Sequence, residues 1–278
     1  MQAVARATCR GINAYRGFNA CRGFNDSEGA TTLAIDDYVG SRRALLRALT
    51  FAGIGAALPL LPRRVFAARI TPDAHSALIV VDVQNCFVTG GTLAVKNGEA
   101  VVPVINRILP AFAAVVMTQD WHTPGHVSFA SAHPGKKPFD TIDLPYGTQV
   151  LWPDHCVQGT DDAKLREDLD VTRAQLIIRK GYRRDMDSYS AFAEADHATT
   201  TGLGGYLNQR GIRSVFLAGL ATDYCVAWTA IDARKAGFDT YVIEDACRAI
   251  DLNGSLAAAW KRMAASGVKR IQSGDIAV

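Results

Sequence analysis

The stretch Gly219-Leu220-Ala221-Thr222-Asp223-Tyr224-Cys225 sets a thiol where an apolar run, Val215 to Ala218, gives way to helical spacing from Val226 to Lys235. Thr222 or Asp223 would cap that helix, and its N-terminal N–H groups would lower the Cys225 pKa and favour the nucleophilic thiolate. A lone cysteine also serves as a small buried hydrophobe, so its neighbours decide the reading. Other apolar runs end on ionisable residues too. Leu78-Ile79-Val80-Val81 runs into Asp82, a carboxylate that could take a proton from a thiol, cap a loop or meet a buried lysine. Ile178-Arg179 leads to Lys180, whose ammonium beside Asp82 and Cys225 would favour the ionised form of both; Arg179 is the neighbouring alternative. Met117-Thr118-Gln119 leads to Asp120-Trp121-His122, with His126 and His155 further on. Alternate residues of an extended chain point the same way, so Asp120 and His122 can grip one ion. Four of the six histidines fall between residues 122 and 155. Imidazole and carboxylate donors suit zinc, iron or manganese, and few protein ligands leave coordination sites open.

The elements that must carry these residues alternate. Apolar runs at Ser76 to Val83, Ala114 to Thr118, Ala174 to Arg179, Ser214 to Gly219, Asp239 to Glu244 and Val268 to Gln272 read as strands. Helical spacing is expected over Val101 to Ala113, Ala195 to Arg210, Tyr224 to Ala236 and Asn253 to Ala265. Strand and helix in turn predict an α/β fold, a doubly wound, mainly parallel six-stranded sheet with helices on both faces. Ligands of such sheets sit beyond the carboxyl ends of the strands, where the ionisable residues lie.

The 278 residues, 49% of them hydrophobic, can bury one substantial core. The net charge of +3 comes from residues 1 to 67, which hold nine Lys/Arg against four Asp/Glu and leave 21 basic and 23 acidic residues elsewhere. No basic stripe indicates a nucleic-acid partner. Cysteines 9, 21, 86, 156, 225 and 247 lack CxxC spacing, and a Cys86–Cys156 bridge is one pairing the spacing leaves open.

Residues 1 to 40 are of low complexity, with the repeat Arg16-Gly17-Phe18-Asn19 and Arg22-Gly23-Phe24-Asn25. Residues 41 to 68 resemble a twin-arginine export signal: Ser41-Arg42-Arg43, a 15-residue uncharged run from Ala48 to Pro62, then Val65-Phe66-Ala67, with cleavage expected after Ala67. That run is short for a bilayer span, which takes roughly 20 residues. The expectation is a periplasmic or secreted protein handled by the twin-arginine machinery and without stable membrane association after cleavage. A cytoplasmic protein is the alternative. Residues 70 to 278 form the folded domain, and a homo-oligomer is compatible with the sequence.

Asp82-Val83-Gln84-Asn85 with Phe87, Gly90-Gly91-Thr92-Leu93-Ala94-Val95, Asp120-Trp121-His122, Trp152-Pro153-Asp154-His155-Cys156, Asp187-Ser188-Tyr189-Ser190-Ala191-Phe192 and Gly219 to Val226 occur in one order. In these segments the chain resembles, from about Ala74 to Val278, the nicotinamidase/pyrazinamidase family of isochorismatase-like cysteine hydrolases. The resemblance implies hydrolysis of nicotinamide, a small carboxamide, to nicotinate and ammonia, with pyrazinamide as a further substrate. It implies Cys225 as nucleophile, Asp82 as proton acceptor and donor, Lys180 as the cation holding the pair, and a thioester intermediate. It further implies an oxyanion hole of the Ala221 and Cys225 N–H groups beside a non-proline cis peptide before Ala221. One divalent metal, zinc first with manganese or iron as alternatives, would be held by Asp120, His122 and His155, with His126 matching a fourth ligand found in some members. It would hold the pyridine nitrogen rather than activate water. Phe87, Trp152, Tyr189 and Ala221 would contact the substrate. Cys86 departs from the acidic residue many members carry there, and an export signal is unusual among them. The competing expectations are an amidohydrolase for another small carboxamide and a catalytically silent metal- or pyridine-binding protein.

Overall fold

In the computed structural model, residues 69–278 are described; the low-complexity segment and the export signal lie outside them. Six apolar runs pair into one parallel sheet: β1 Ser76–Val81, β2 Ala114–Asp120, β5 Leu176–Lys180, β6 Ser214–Leu220, β7 Asp239–Arg248 and β8 Lys269–Ile271. Their order across the sheet is β5-β2-β1-β6-β7-β8. The chain therefore builds outward from β1 through β2 to β5, then returns to β1's other side with β6. This reversal leaves a crevice at the carboxyl ends of β1 and β6, where such sheets bind ligands. Every residue of β1 is buried. Leu78 and Val80 pack on one face with Val101, Ile105 and Ile108 of α1 (Val101–Ile108). Ala77, Ile79 and Val81 pack on the other with Leu203 and Leu207 of α2 (Leu203–Gln209), Ala230 of α3 (Ala227–Lys235) and Met263 of α4 (Ser255–Ala265). Burying each such Leu, Ile or Val contributes about 1.5–3 kcal/mol.

Three expectations change. The segment expected to be helical from Ala195 is helical only over Leu203–Gln209. Before it, the Asp196 carboxylate accepts the Ala198 and Thr199 N–H groups and the Thr199 hydroxyl, bonds that compete with a helical ladder. Neither Thr222 nor Asp223 caps a helix: a π-helical turn, Thr222–Val226, precedes α3, and the Asp223 carboxylate instead accepts the N–H groups of Ile250 and Asp251 and the Ser255 hydroxyl. An unforeseen antiparallel hairpin, β3 Thr141–Leu144 and β4 Gly147–Val150, stands apart from the main sheet.

Candidate active site

The catalytic-type side chains come from strand ends because a parallel sheet aligns those ends. Asp82 directly follows β1, with φ at 47°. Its N–H bonds the Thr118 hydroxyl of β2 at 3.1 Å, and that hydroxyl donates back to Asp82 Oδ1. Gln84 ties the same two strand ends together: its Nε2 donates to the Asp120 carbonyl at 2.9 Å and its Oε1 accepts the Asp120 N–H at 2.8 Å. Gly219 lets β6 approach β1, since a Cβ there would lie 2.0 Å from the Val81 carbonyl oxygen. The chain then turns through a cis peptide between Leu220 and Ala221 and delivers Cys225 to the crevice.

Lys180, at the end of β5, is fully buried and joins the groups. Its Nζ stands 2.8 Å from Asp82 Oδ2, 3.2 Å from Cys225 Sγ and 3.1 Å from the Ser188 carbonyl, and it also pairs with Asp120 Oδ1. Carboxylate oxygens of Asp82 and Asp120 and Cys225 Sγ all lie within 4.8 Å of one another. Burial opposes charge on Lys180, but the Asp120 and Asp82 carboxylates outweigh it and hold the ammonium protonated well beyond the ordinary lysine range. Burial raises the Asp82 carboxyl, with Lys180 opposing. Burial also pushes the Cys225 thiol well up, again against Lys180. The sequence led to the expectation of a lowered thiol pKa; in the folded chain the direction is upward, because desolvation outweighs the Lys180 charge. A protonated thiol beside a carboxylate whose Oδ2 meets the Lys180 ammonium at 2.8 Å is arranged for proton transfer on attack.

On the other side of Asp120, its Oδ2 lies 3.6 Å from His122 Nε2 and 3.8 Å from His155 Nε2. His122 Nδ1 bonds the Gly181 carbonyl at 2.9 Å and His155 Nδ1 bonds the Pro153 carbonyl at 2.8 Å. Burial opposes charge on His122, but the Asp120 carboxylate outweighs it and raises its pKa. Carbonyls only accept, so both Nδ1 atoms carry a proton and leave the Nε2 atoms, which face Asp120 Oδ2, as the ones to ligate. That is the tautomer and the outer support a metal-ligating histidine takes. The three residues therefore fit a divalent metal. Gly181 makes room for this: with φ at 64°, a Cβ would meet the His122 ring at 2.5 Å.

His126 is placed differently. Its ring lies 4.3 Å from that of His122, and His126, His122 and Asp187 offer ligand atoms within 4.8 Å of one another, a grouping that omits Asp120 and His155. Its Nδ1 bonds the Ser128 hydroxyl at 2.7 Å and its Nε2 the Met186 carbonyl at 3.2 Å.

A pocket joins the two halves, with Phe87, Trp152, Tyr189 and Ala221 around Cys225, Asp120, His122 and His155. Trp152 Nε1 donates to the Tyr189 hydroxyl at 3.0 Å, fixing two walls against each other. Asp187 also lines the pocket, with its Oδ2 accepting from Gln149 at 2.7 Å. In the sequence it stood out only as the first residue of the family-like segment Asp187 to Phe192, with no role attached. Cys86 and Cys156 are joined as a disulfide, tying the segment before Phe87 to the one that carries His155.

The isochorismatase domain model matches residues 76–275. The nicotinamidase of Acinetobacter baylyi is 63% identical over 210 residues, 76% of this chain and 98% of the relative. The structure of the Acinetobacter baumanii nicotinamidase/pyrazinamidase superposes with a TM-score of 0.72 at 60% identity, covering 73% of this chain and 98% of that one. Pyrococcus horikoshii pyrazinamidase in complex with zinc gives a TM-score of 0.58 at 35% identity, covering 71% and 99%. The chain belongs to the isochorismatase family. Within it, the chain groups with the nicotinamidases, amidohydrolases of that family.

Proposed function

We propose that the chain hydrolyses nicotinamide to nicotinate and ammonia, with pyrazinamide as a second substrate. The observation that carries this reading is the buried Lys180 ammonium lying between Asp82 Oδ2 and the Sγ of Cys225, a residue that lines an aromatic pocket. Asp82 takes the Cys225 proton as Sγ attacks the amide carbon. The Ala221 and Cys225 N–H groups receive the oxyanion, an interaction worth roughly a hundredfold or more in rate. Collapse expels the amine with the proton from Asp82, leaving a thioester on Cys225. Asp82 then deprotonates water for attack on the thioester carbon, and nicotinate departs as the thiol reforms. Throughout, Lys180 keeps the Asp82 charge in place while the pocket shields the intermediate.

Asp120, His122 and His155 would hold one divalent metal, and His126 would support the His122 side of that site. Zinc is favoured by the donor set and by the zinc complex of the Pyrococcus relative. When bound, it would supply a Lewis-acidic anchor for the pyridine nitrogen. Phe87, Trp152 and Tyr189 would wall the ring. Purified protein given nicotinamide, with and without chelator, tests the reading: equal release of ammonia and nicotinate, lost on chelation and restored by zinc, manganese or iron, is expected. No release with any of these metals would refute it.

Residues 41 to 68 are proposed as a twin-arginine signal that sends the enzyme to the periplasm. The Arg42-Arg43 pair and the apolar run support this, as does the Cys86–Cys156 disulfide, a bond that persists in oxidising compartments. A reporter fused to residues 1 to 75 should stay inside when both arginines become lysine, and unchanged export would refute the signal.

A further inference from the structure

A second cavity, of about 230 Å³, lies on the other side of Tyr189 from the thiol, between the β3–β4 turn, residues 189–197 and the start of α3. Tyr146, Tyr189, Trp228 and His197 supply its aromatic walls, and Gln149 and Glu194 its polar ones. The Trp228 and His197 rings stand 5.6 Å apart, tilted by 35°. Tyr189 is held by its hydroxyl, which accepts from Trp152 Nε1 and from Gln149 Nε2.

Glu194 is the residue this cavity leaves unexplained. It is 2% exposed, and its Oε2 is buried with no hydrogen-bond partner. A carboxylate taken out of water needs a cation or a strong donor, and an unmet one is costly. Burial raises its pKa, with the Arg183 charge opposing. Asp187, nearby, has its own partners in Gln149 Nε2 and the Ser188 N–H. A buried carboxylate in the lining of a cavity with aromatic walls offers two attractions for one positive charge, the carboxylate and the ring faces.

We propose that this cavity binds a small, flat organic cation of the N-alkylpyridinium class, its charge set against Glu194 and its ring against Trp228 and Tyr146. The site is separate from the reacting atoms and shares only the Tyr189 wall with the Cys225 pocket. The proposal stands independently of the reaction assigned to Cys225.

Titration of the full chain with N-methylpyridinium chloride near neutral pH, followed by calorimetry, tests it. Saturable binding is expected, weakened about tenfold or more in Glu194→Gln, which removes the charge and keeps the shape, and in Trp228→Leu, which removes the ring. Circular dichroism of each variant, matched to the native spectrum, shows that it is folded. Absence of saturable binding to the native protein, or native-strength binding in either folded variant, overturns the proposal.

Discussion

The Lys180 ammonium lies 3.2 Å from the Cys225 sulfur and is buried with it, so the thiol and its counter-charge share one dry environment. The same nitrogen pairs with Asp82 and Asp120. It thereby links the thiol half of the pocket to the half that fits a metal.

Lys180→Met tests that link. The variant leaves two buried carboxylates facing each other without a cation, and breaking a buried pair in this way costs about 3–5 kcal/mol. The urea midpoint should fall accordingly, and nicotinamide turnover should fall with it. An unchanged midpoint would mean that Asp82 and Asp120 find other compensation.

Gly181→Ala addresses the metal half alone. A methyl group at this position meets the His122 ring, so His122 must turn and lose its bond to the Gly181 carbonyl. Disturbing the support of a metal-ligating histidine costs roughly 10–100-fold in metal affinity. Zinc titration of the two proteins should show that loss, while equal affinity would remove His122 from the ligand set.

The strand ends were legible in the sequence because apolar runs of a parallel sheet must be interrupted where the backbone leaves the core, and Asp82, Asp120 and Lys180 mark those interruptions. Burial depth was not legible. The Cys225 thiol was expected to be lowered by a helix end, but its complete desolvation raises it. Nor could residue type tell that Asp223 would hold residues 250–255 rather than cap a helix, or that Asp196 would fold its own loop where helix-forming alanines stand. The Cys86–Cys156 bond joins positions 70 residues apart, a pairing that only the fold selects.

His126 predicts an acid sensitivity in metal-free protein. Burial, assisted by the neighbouring His122 charge, lowers its pKa from 6.5 to about 4. Below pH 6.5 the unfolded chain takes up a proton that the folded chain refuses until about pH 4, so stability falls as pH drops through that window. His126→Asn should remove on the order of 2 kcal/mol of that loss. Chelator-treated proteins with parallel stability-versus-pH curves would contradict the assignment.

The Cys86–Cys156 bond should contribute about 4 kcal/mol by restricting the unfolded chain across a loop of that size. Chemical denaturation of the Cys86→Ser, Cys156→Ser double variant, or of the reduced protein, measures it. Identical midpoints in oxidised and reduced samples would show that the bond contributes no stability.

The covalent role of Cys225 is the central claim, and acid-quenched protein caught during nicotinamide turnover tests it most directly by mass spectrometry. A mass increment of one nicotinoyl group on the peptide containing Cys225, absent from Cys225→Ala together with all hydrolysis, is the predicted result. Continued hydrolysis by Cys225→Ala, or the increment on any other residue, would contradict it.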